Sequence, residues 1–270
     1  MRPPLTQLSE EEVMFRDAVA AFANNEVRPR VKLMETAGKL DKALVEGAFG
    51  LGLMGIAVPE SLGGSGGSLF MVALAVEEIS KVDASSAILV DVQNTLVNYP
   101  INRSGSNELK AKYLPRLTSK TVGAYALSEP GSGSDAFGLT THAQQKGDAW
   151  VLNGRKMWIT NGAEAEIFVV FANANPDAGY KGITAFIVER GFPGFAVGKK
   201  EDKLGIRASS TTELMLDNVT VPAANVLGQV GQGYKIAIET LNEGRVGIGA
   251  QMIGVAQGAL AATVEYVKER

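Results

Sequence analysis

Tyr125-Ala126-Leu127-Ser128-Glu129-Pro130-Gly131-Ser132-Gly133-Ser134-Asp135 is the stretch of sequence that decides the fold. A strand-like apolar run passes here into alternating glycine and serine, which leaves backbone N–H groups free and brings hydroxyls close to a ligand. The pattern indicates a binding loop for phosphate or another polar part of a cofactor. An ordinary Gly/Ser turn stays open as the alternative, because the run matches neither the P-loop nor the dinucleotide fingerprint.

A second stretch, Lys156-Met157-Trp158-Ile159-Thr160-Asn161-Gly162, is a strand that ends in an indole and a hydroxyl just before a turn. An indole beside a hydrogen-bonding threonine is a suitable wall for a flat aromatic cofactor. This stretch alone leaves a core tryptophan of a barrel as the alternative. The two stretches together favour the cofactor wall.

Around these stretches the sequence has the short period of β-strands, starting near Thr121. Turn signals at 146–148, 153–154, 161–162 and 173–179 separate the strand-like runs. The close spacing favours an antiparallel barrel or sandwich over alternating βαβ units. The predicted strands are 122–127, 140–145, 149–152, 167–172, 183–188 and 213–219.

The chain before residue 121 has the period of amphipathic helices and resembles a helical bundle. Ser9 and Glu12 form a capping box, and the helix that they start is expected to stop at Pro29. Asp41 and Ser68 are the predicted N-caps of two further helices. Later helices are predicted from residue 83 onward, over 107–117, and from Gly231 to the last residue.

We therefore predict an α+β chain with more than one domain. An N-terminal helical bundle occupies 1–120, a central antiparallel β-barrel or sandwich occupies 121–230, and 231–270 starts a C-terminal helical bundle. The last helix is apolar on most sides, so something must cover it. Either the chain oligomerises through this helix, or the sequence stops partway through a helical domain.

Residues 246–264 of that helix also meet a crude membrane test. They carry no formal charge and contain a G-x-x-x-G spacing at Gly254 and Gly258. Gln251, Gln257 and several glycines dilute the hydrophobicity, so a tightly packed helix of a bundle is the favoured interpretation. A membrane-associated protein stays open as an alternative hypothesis, and we predict no membrane.

Composition excludes several kinds of chemistry. The 270 residues carry 26 basic and 29 acidic side chains, so no strong attraction to nucleic acid is expected. Zero cysteines and one histidine, His142, exclude disulfide frameworks, cysteine nucleophiles and thiolate zinc sites, and nearly exclude Ser-His triads. We predict no metal site and a surface position for His142. The first residues lack the core of a signal peptide, which predicts a cytosolic or matrix protein.

Several stretches taken together resemble the acyl-CoA dehydrogenases, and most of all those of the short/branched-chain type. The Ser-Glu-Pro-Gly-Ser-Gly-Ser-Asp run and the Trp-Ile-Thr strand are jointly highly specific for this family. The resemblance extends over essentially the whole chain, and the chain is identified as a member of the family. The matching stretches are 59–64, 125–135, 153–160, 179–184, 203–211 and 241–245.

The resemblance implies that the chain binds FAD. Leu127 and Ser128 would lie at the isoalloxazine ring, and Ser134 between the flavin and CoA. Trp158 would shield one side of the flavin, and Thr160 would lie near N5, which accepts hydride. Arg270 matches an arginine that reaches the FAD of a neighbouring subunit. The full set of predicted cofactor residues is Tyr125, Ala126, Leu127, Ser128, Glu129, Pro130, Gly131, Ser132, Gly133, Ser134, Trp158, Ile159, Thr160 and Arg270.

The resemblance also implies an acyl-CoA substrate. Tyr180, Tyr234 and the run Asn242, Glu243, Gly244 and Arg245 would contact it together with Ser134, and Arg245 suits the polar CoA portion. Packing or surface roles for the two tyrosines stay open. The implied reaction gives a trans-2-enoyl-CoA and passes electrons to an electron-transfer flavoprotein. A homotetramer in the bacterial cytoplasm or the mitochondrial matrix is the implied setting.

The sequence departs from the family at the catalytic base. The usual glutamate lies on a loop late in the C-terminal domain, so no catalytic residue is expected here. Some relatives carry the base on the first helix, at the position of Gly244. Glu243 is a substitute candidate, but one residue on a helix rotates a side chain by about 100°, which would turn it away from the flavin. A non-catalytic FAD and acyl-CoA binding fragment is therefore the alternative function.

Overall fold

Helices form the first part of the chain, in the computed structural model that describes residues 7–270. Ser9, Asp41 and Ser68 each accept a hydrogen bond from a backbone N–H of the helix that follows, which confirms three predicted N-caps. The helices are α1 (Glu10–Phe22), α2 (Val31–Ala37), α3 (Lys42–Gly50), α4 (Leu69–Ser80), α5 (Ala84–Asp91), α6 (Tyr99–Ser104) and α7 (Asn107–Ser119).

The first helical stretch does not stop at Pro29, so that prediction is wrong. α1 continues through a π-helical turn, Ala23–Val27, and a 3-10 turn, Arg28–Arg30, into α2. Pro29 lies in the first turn of the 3-10 segment, where a missing N–H costs little. The stretch ends instead at Gly38, which adopts a left-handed conformation with φ of 62°.

A second π-helical segment, Val92–Asn98, joins α5 to α6 and carries buried amide side chains. Gln93 Nε2 donates to the carbonyl oxygens of Leu117 (2.7 Å) and Thr121 (3.0 Å), and Gln93 Oε1 accepts from the Gly123 N–H (2.8 Å). One amide therefore satisfies the end of α7 and the start of the first strand. It fixes the junction between the helical part and the sheet.

Replacing Gln93 by leucine is expected to lower the free energy of unfolding by about 3 kcal/mol, because three backbone groups lose their partner in a buried place. Urea unfolding followed by circular dichroism measures the change. Gln145→Leu, at an exposed amide on a sheet strand, is the matched control. Equal losses in the two variants would contradict the role assigned to Gln93.

The central part is a single mixed sheet. Its hydrogen-bonded order is β6-β7-β3-β2-β4-β5-β8, and β1 pairs with β4. The β1–β4 pairing and one bridge between β2 and β4 are parallel, and the other pairings are antiparallel. The strands are β1 (Gly123–Ala126), β2 (His142–Lys146), β3 (Ala149–Thr160), β4 (Ile167–Asn173), β5 (Ile183–Glu189), β6 (Phe195–Lys200), β7 (Thr211–Pro222) and β8 (Val226–Leu227).

This arrangement confirms the predicted fold class of helices around a β middle part. Two strands escaped the sequence analysis: β6, which is only half-buried, and β8, which has two residues. The dipeptide Asn153-Gly154, predicted as a turn, lies instead inside the long strand β3. The register against β7 shifts between Leu152 and Gly154, and a Cβ at Gly154 would overlap Thr141. Gly154 allows a β-bulge at this point of the strand. A bulge and a turn have the same local sequence signal.

β4 separates the two apolar cores of the molecule. Phe168, Val170 and Ala172 pack into one core, which includes residues of α1, α3 and α4. The alternate residues Ile167, Val169 and Phe171 pack into the other, together with residues of α7 and of the last helix. A strand buried on both faces reads as a continuous apolar run, which is why the sequence predicted it correctly.

The last helix, α8 (Gly233–Glu269), lies against α4 and α5. A Cβ at Gly254 would overlap the Glu77 carbonyl group, and one at Gly258 would overlap that of Lys81. The G-x-x-x-G spacing thus brings α8 close to the end of α4 within the same chain. By length and composition alone the helix also qualifies as a membrane span, which is weak support for a membrane. Large exposed side chains on it include Met252, Ile253, Leu260, Tyr266 and Val267.

Candidate functional site

A buried ion pair fixes the glycine and serine loop that follows β1. Lys156 Nζ lies 2.7 Å from Glu129 Oε1 and also donates to the Leu127 carbonyl oxygen at 3.0 Å. Glu129 accepts further hydrogen bonds from the N–H and hydroxyl of Thr140 and from the N–H of Thr141. The exposed fractions of the two charged side chains are 0% and 1%. The pair therefore ties the loop to β3 and to the segment before β2.

Both members of this pair stay charged at neutral pH. Burial alone would raise the pKa of Glu129, but the charge of Lys156 and the hydrogen bonds from Lys156, Thr141 and Thr140 lower it to about 2. Burial lowers the pKa of Lys156 to about 8, although Glu129 acts in the opposite direction. The Glu129 side chain holds the loop, so any contact with a ligand at this predicted cofactor position falls to its main chain.

The predicted cofactor residues divide into an inner and an outer set. The inner side chains are buried, and Ser132 Oγ donates within the loop to the Asp135 carbonyl oxygen. The outer residues reach solvent and form the accessible surface of the loop and of the end of β3. The inner set is Tyr125, Ala126, Leu127, Glu129, Ser132 and Ile159; the outer set is Ser128, Pro130, Gly131, Gly133, Ser134, Trp158 and Thr160.

Trp158 projects from β3 in an unusual backbone conformation. Its φ is 59°, in the left-handed region that a bulky residue rarely adopts, and the strand register shifts between Lys156 and Ile159. The indole is 52% exposed, and a Cβ on Gly133 would lie 3.7 Å from it. Backbone strain at an exposed aromatic side chain is typical of functional surfaces. Trp158 is therefore not the core tryptophan of the sheet; that position belongs to Trp150.

Thr160, at the end of β3, opens onto a cavity of about 370 Å³. The cavity lies between the sheet, α5, the π-helical segment after it, and α8. We call it the acyl cavity, because most of its wall is hydrocarbon. Its lining residues are Ile88, Asp91, Val92, Leu96, Thr160, Leu241, Gly244, Arg245 and Ile248.

Glu243 does not line the acyl cavity. It lines a neighbouring cavity of about 390 Å³ together with Tyr99 and the amides of Asn94 and Asn98. Gly244 faces the acyl cavity instead, where a Cβ would lie 2.8 Å from the end of the Leu96 side chain. Glu243 and Gly244 thus open onto different cavities, as the rotation of about 100° per helical residue leads us to expect.

The two predicted substrate tyrosines lie together at the start of α8. The ring centroids of Tyr180 and Tyr234 are 4.6 Å apart, and the tilted ring of Phe137 packs against Tyr234 with a centroid distance of 4.5 Å. Tyr180 is half exposed. Phe137 escaped the sequence analysis because nothing in its local pattern connects it to α8. The three rings form an aromatic surface that the predicted CoA portion could contact.

The polar residues predicted to bind substrate and cofactor on α8 are spread along it. Asn242 and Arg245 are exposed and joined by a 2.8 Å hydrogen bond, and Arg245 also lines the acyl cavity. Arg270 stacks on Tyr266 at the far end of the helix. At 1.5 Å per residue it is about 39 Å along the axis from Gly244, so it lies far from this chain's own site.

The residues present fit a flavin. The buried Tyr125 hydroxyl, just before the loop, has no hydrogen-bond partner within residues 7–270, and burial raises its pKa. A bound polar group could satisfy it. The outer loop adds a flat indole, the small residue Gly133 and the hydroxyl-bearing residues Ser128 and Ser134.

One buried carboxyl group of the acyl cavity escaped the sequence analysis. Asp91, at the end of α5, is 1% exposed, and burial raises its pKa to about 7, against the weaker effect of a hydrogen bond from Thr95. A single charged residue within the apolar run of α5 was the available signal. His142 is exposed on β2, as predicted.

Models of one protein family match this chain in three successive stretches. Family models for the N-terminal, middle and C-terminal domains of acyl-CoA dehydrogenases match residues 9–121, 124–219 and 231–270. The chain is 42% identical to a solved structure of butyryl-CoA dehydrogenase from Megasphaera elsdenii. The TM-score is 0.95, and the match covers 98% of this chain and 70% of that one. The chain belongs to the acyl-CoA dehydrogenase family, whose members are FAD-dependent oxidoreductases.

Two further relatives bear on specificity and cofactor. A probable short/branched chain specific acyl-CoA dehydrogenase from Dictyostelium discoideum is 54% identical over 99% of this chain. The chain spans 65% of that relative's length. An acyl-CoA dehydrogenase from Bacillus anthracis, solved in complex with FAD, is 37% identical with a TM-score of 0.91, covering 98% of this chain and 45% of the other.

Proposed function

We propose that this chain provides the flavin and acyl-CoA surfaces of an enzyme that dehydrogenates short or branched acyl-CoA thioesters to trans-2-enoyl-CoA. The observation that carries the proposal is the position of Thr160, which lines the acyl cavity and follows the exposed Trp158 by two residues in β3. A thioester whose acyl chain entered this cavity would have its reacting carbons beside the end of β3. That place adjoins the surface that fits a flavin.

The residues of the chain would divide the work as follows. Bound FAD would supply the hydride acceptor. The outer loop residues Ser128 and Ser134 would donate hydrogen bonds to it, and the indole of Trp158 would keep water from one side. Thr160 would lie between the flavin and the acyl cavity, where its hydroxyl can orient either group. The hydrocarbon wall would exclude water from the acyl chain.

The CoA portion would run along the start of α8. The aromatic surface of Phe137, Tyr180 and Tyr234 would contact it, and Arg245 with Asn242 would bind its polar groups. Arg270 lies too far away to contact the flavin of its own chain, and from the resemblance to the family we assign it to the flavin of a neighbouring subunit in a homotetramer. Electrons would pass to an electron-transfer flavoprotein. The setting would be the bacterial cytoplasm or, as the names of eukaryotic relatives suggest, mitochondria.

A second candidate function is binding of FAD and acyl-CoA without dehydrogenation. It is favoured by one observation: Gly244 faces the acyl cavity, whereas Glu243 lines the neighbouring one. Glu243 is therefore not placed to abstract a proton from a thioester in the acyl cavity. The second candidate shares the binding surfaces of the first and differs only in the proton-abstracting step.

An anaerobic titration distinguishes the two functions. The chain is reconstituted with FAD and titrated with butyryl-CoA and 2-methylbutyryl-CoA, while the long-wavelength flavin absorption is recorded. Bleaching supports dehydrogenation. A spectral shift without bleaching supports binding alone, and a chain that retains no FAD contradicts both. The Trp150→Phe variant tests whether FAD binds beside Trp158. Trp158 is its one remaining tryptophan, so bound FAD should quench the tryptophan fluorescence.

A further inference from the structure

Asp91 is an unusual wall residue for the acyl cavity. Five of the residues around it are hydrocarbon, and Asp91 places a carboxyl group among them. Its Oδ1 accepts a hydrogen bond from the Thr95 hydroxyl at 3.1 Å, and no ion pair joins it to a cation within residues 7–270. A buried carboxyl without a countercharge is costly to ionise and is seldom kept without a role.

The carboxyl group lies where α5 approaches α8. Its Oδ1 would overlap a Cβ on Gly247, so it sits directly against the backbone of α8. Gly247 is three residues beyond Gly244, or about 4.5 Å farther along the helix axis. On α8, Gly244 and Arg245 mark the level of the proposed reaction, and Asp91 lies against the following turn, which contributes Ile248 to the cavity.

The groups that face Asp91 affect its pKa less than burial does. On its own helical run it meets the Thr95 hydroxyl, and on α8 it meets the backbone at Gly247. Arg245 is the other charged side chain among the described residues that line the cavity, and β3 contributes the uncharged Thr160. The carboxyl group can therefore be neutral or ionised near pH 7, and it is much more strongly hydrated when ionised.

We propose that Asp91 is a specificity-determining residue that sets the acyl-chain limit of this cavity. The inference rests on the proposed function. A short acyl chain ends before the carboxyl group and leaves its polar surroundings intact. A longer straight chain must pass the carboxyl group and surround it with further hydrocarbon, and this cost outweighs the gain from burying the extra methylenes. Ionised Asp91 opposes the longer chain more strongly than neutral Asp91.

Calorimetric binding of butyryl-CoA and octanoyl-CoA to the FAD-loaded chain tests this. Wild type should bind butyryl-CoA more tightly, and its ratio of octanoyl to butyryl affinity should fall further as pH rises through 7. Asp91→Leu keeps the branching of the side chain and removes its polarity. We expect it to raise the ratio of octanoyl to butyryl affinity about tenfold. Asp148→Leu, at an exposed turn carboxylate, should leave the ratio unchanged.

Asp91→Asn keeps the shape and polarity of the side chain and removes its titration, so it covers the case in which the leucine variant fails to fold. We expect it to keep the preference for butyryl-CoA and to lose the pH dependence of octanoyl binding. A wild-type ratio in Asp91→Leu, or an unchanged pH profile in Asp91→Asn, overturns this inference while the proposed function stands. Failure of the wild-type chain to bind either thioester overturns the proposed function, and this inference with it.

Discussion

Lys156→Met is expected to lower the free energy of unfolding by about 3 to 5 kcal/mol, because it leaves the Glu129 carboxylate buried without its cation. The loss should extend to the cofactor surface, since the same lysine holds the Leu127 carbonyl group at the base of the glycine and serine loop. Urea unfolding measures the first effect. Retention of FAD through gel filtration measures the second.

The controls separate the ion pair from charge in general. Lys146→Met removes an exposed lysine at the end of β2 and should change stability by less than about 0.5 kcal/mol. The double variant Lys156→Met with Glu129→Gln removes both charges and should recover part of the loss, because the glutamine can still accept from Thr140 and Thr141. Similar losses of unfolding free energy in Lys146→Met and Lys156→Met would show that the buried ion pair does not stabilise the fold.

Asp91→Asn should make the protein more stable than wild type at pH 8 and leave it about equally stable at pH 4. The pKa of Asp91 is about 7 in the folded protein, against about 3.9 in an unfolded chain. At a pH between these two pKa values, Asp91 keeps its proton in the folded state and releases it in the unfolded state. The contribution of Asp91 is therefore fully present below about pH 4 and is lost as pH rises through 7.

The size of the effect follows from the same two values. A difference of about 3 in pKa corresponds to about 4 kcal/mol, which is the largest gain that asparagine can give above pH 7. Urea unfolding of wild type and variant across this pH range, at one saturating FAD concentration, measures it. Asp148→Asn, with an exposed carboxylate, should follow the wild-type curve. Parallel curves for wild type and Asp91→Asn would contradict the raised pKa.

Local patterns were enough to predict most elements of the fold. The side-chain caps at Ser9, Asp41 and Ser68 satisfy N–H groups three residues away, so their signal lies within a few positions of sequence. The apolar run of β4 predicts a strand whatever lies on its two faces. The glycine and serine loop likewise carries its own signal, because small residues and hydroxyls are needed next to a polar ligand.

The failures arose where distant parts of the chain decide the structure. Pro29 is tolerated because packing continues the helical path through a π turn, and the Gly154 bulge depends on Thr141 and on the register of β7. The environment of Asp91 is created by α8, which follows it only after the whole sheet. No window of sequence around Asp91 contains that helix.

The close approach of α8 has a consequence for how such a protein can change its substrate. Along α8, Gly244 meets Leu96, Gly247 meets Asp91, and Gly254 meets the backbone of Glu77. A larger side chain at Gly247 or Gly254 collides with the Asp91 carboxyl group or with the Glu77 backbone, whereas at Gly244 it meets only the movable end of the Leu96 side chain. Ile88, Asp91 and Val92 on the opposite wall carry side chains that can be exchanged one at a time. Changes toward new acyl chains are therefore expected in α5 and the π-helical segment after it, while Gly247 and Gly254 of α8 are retained.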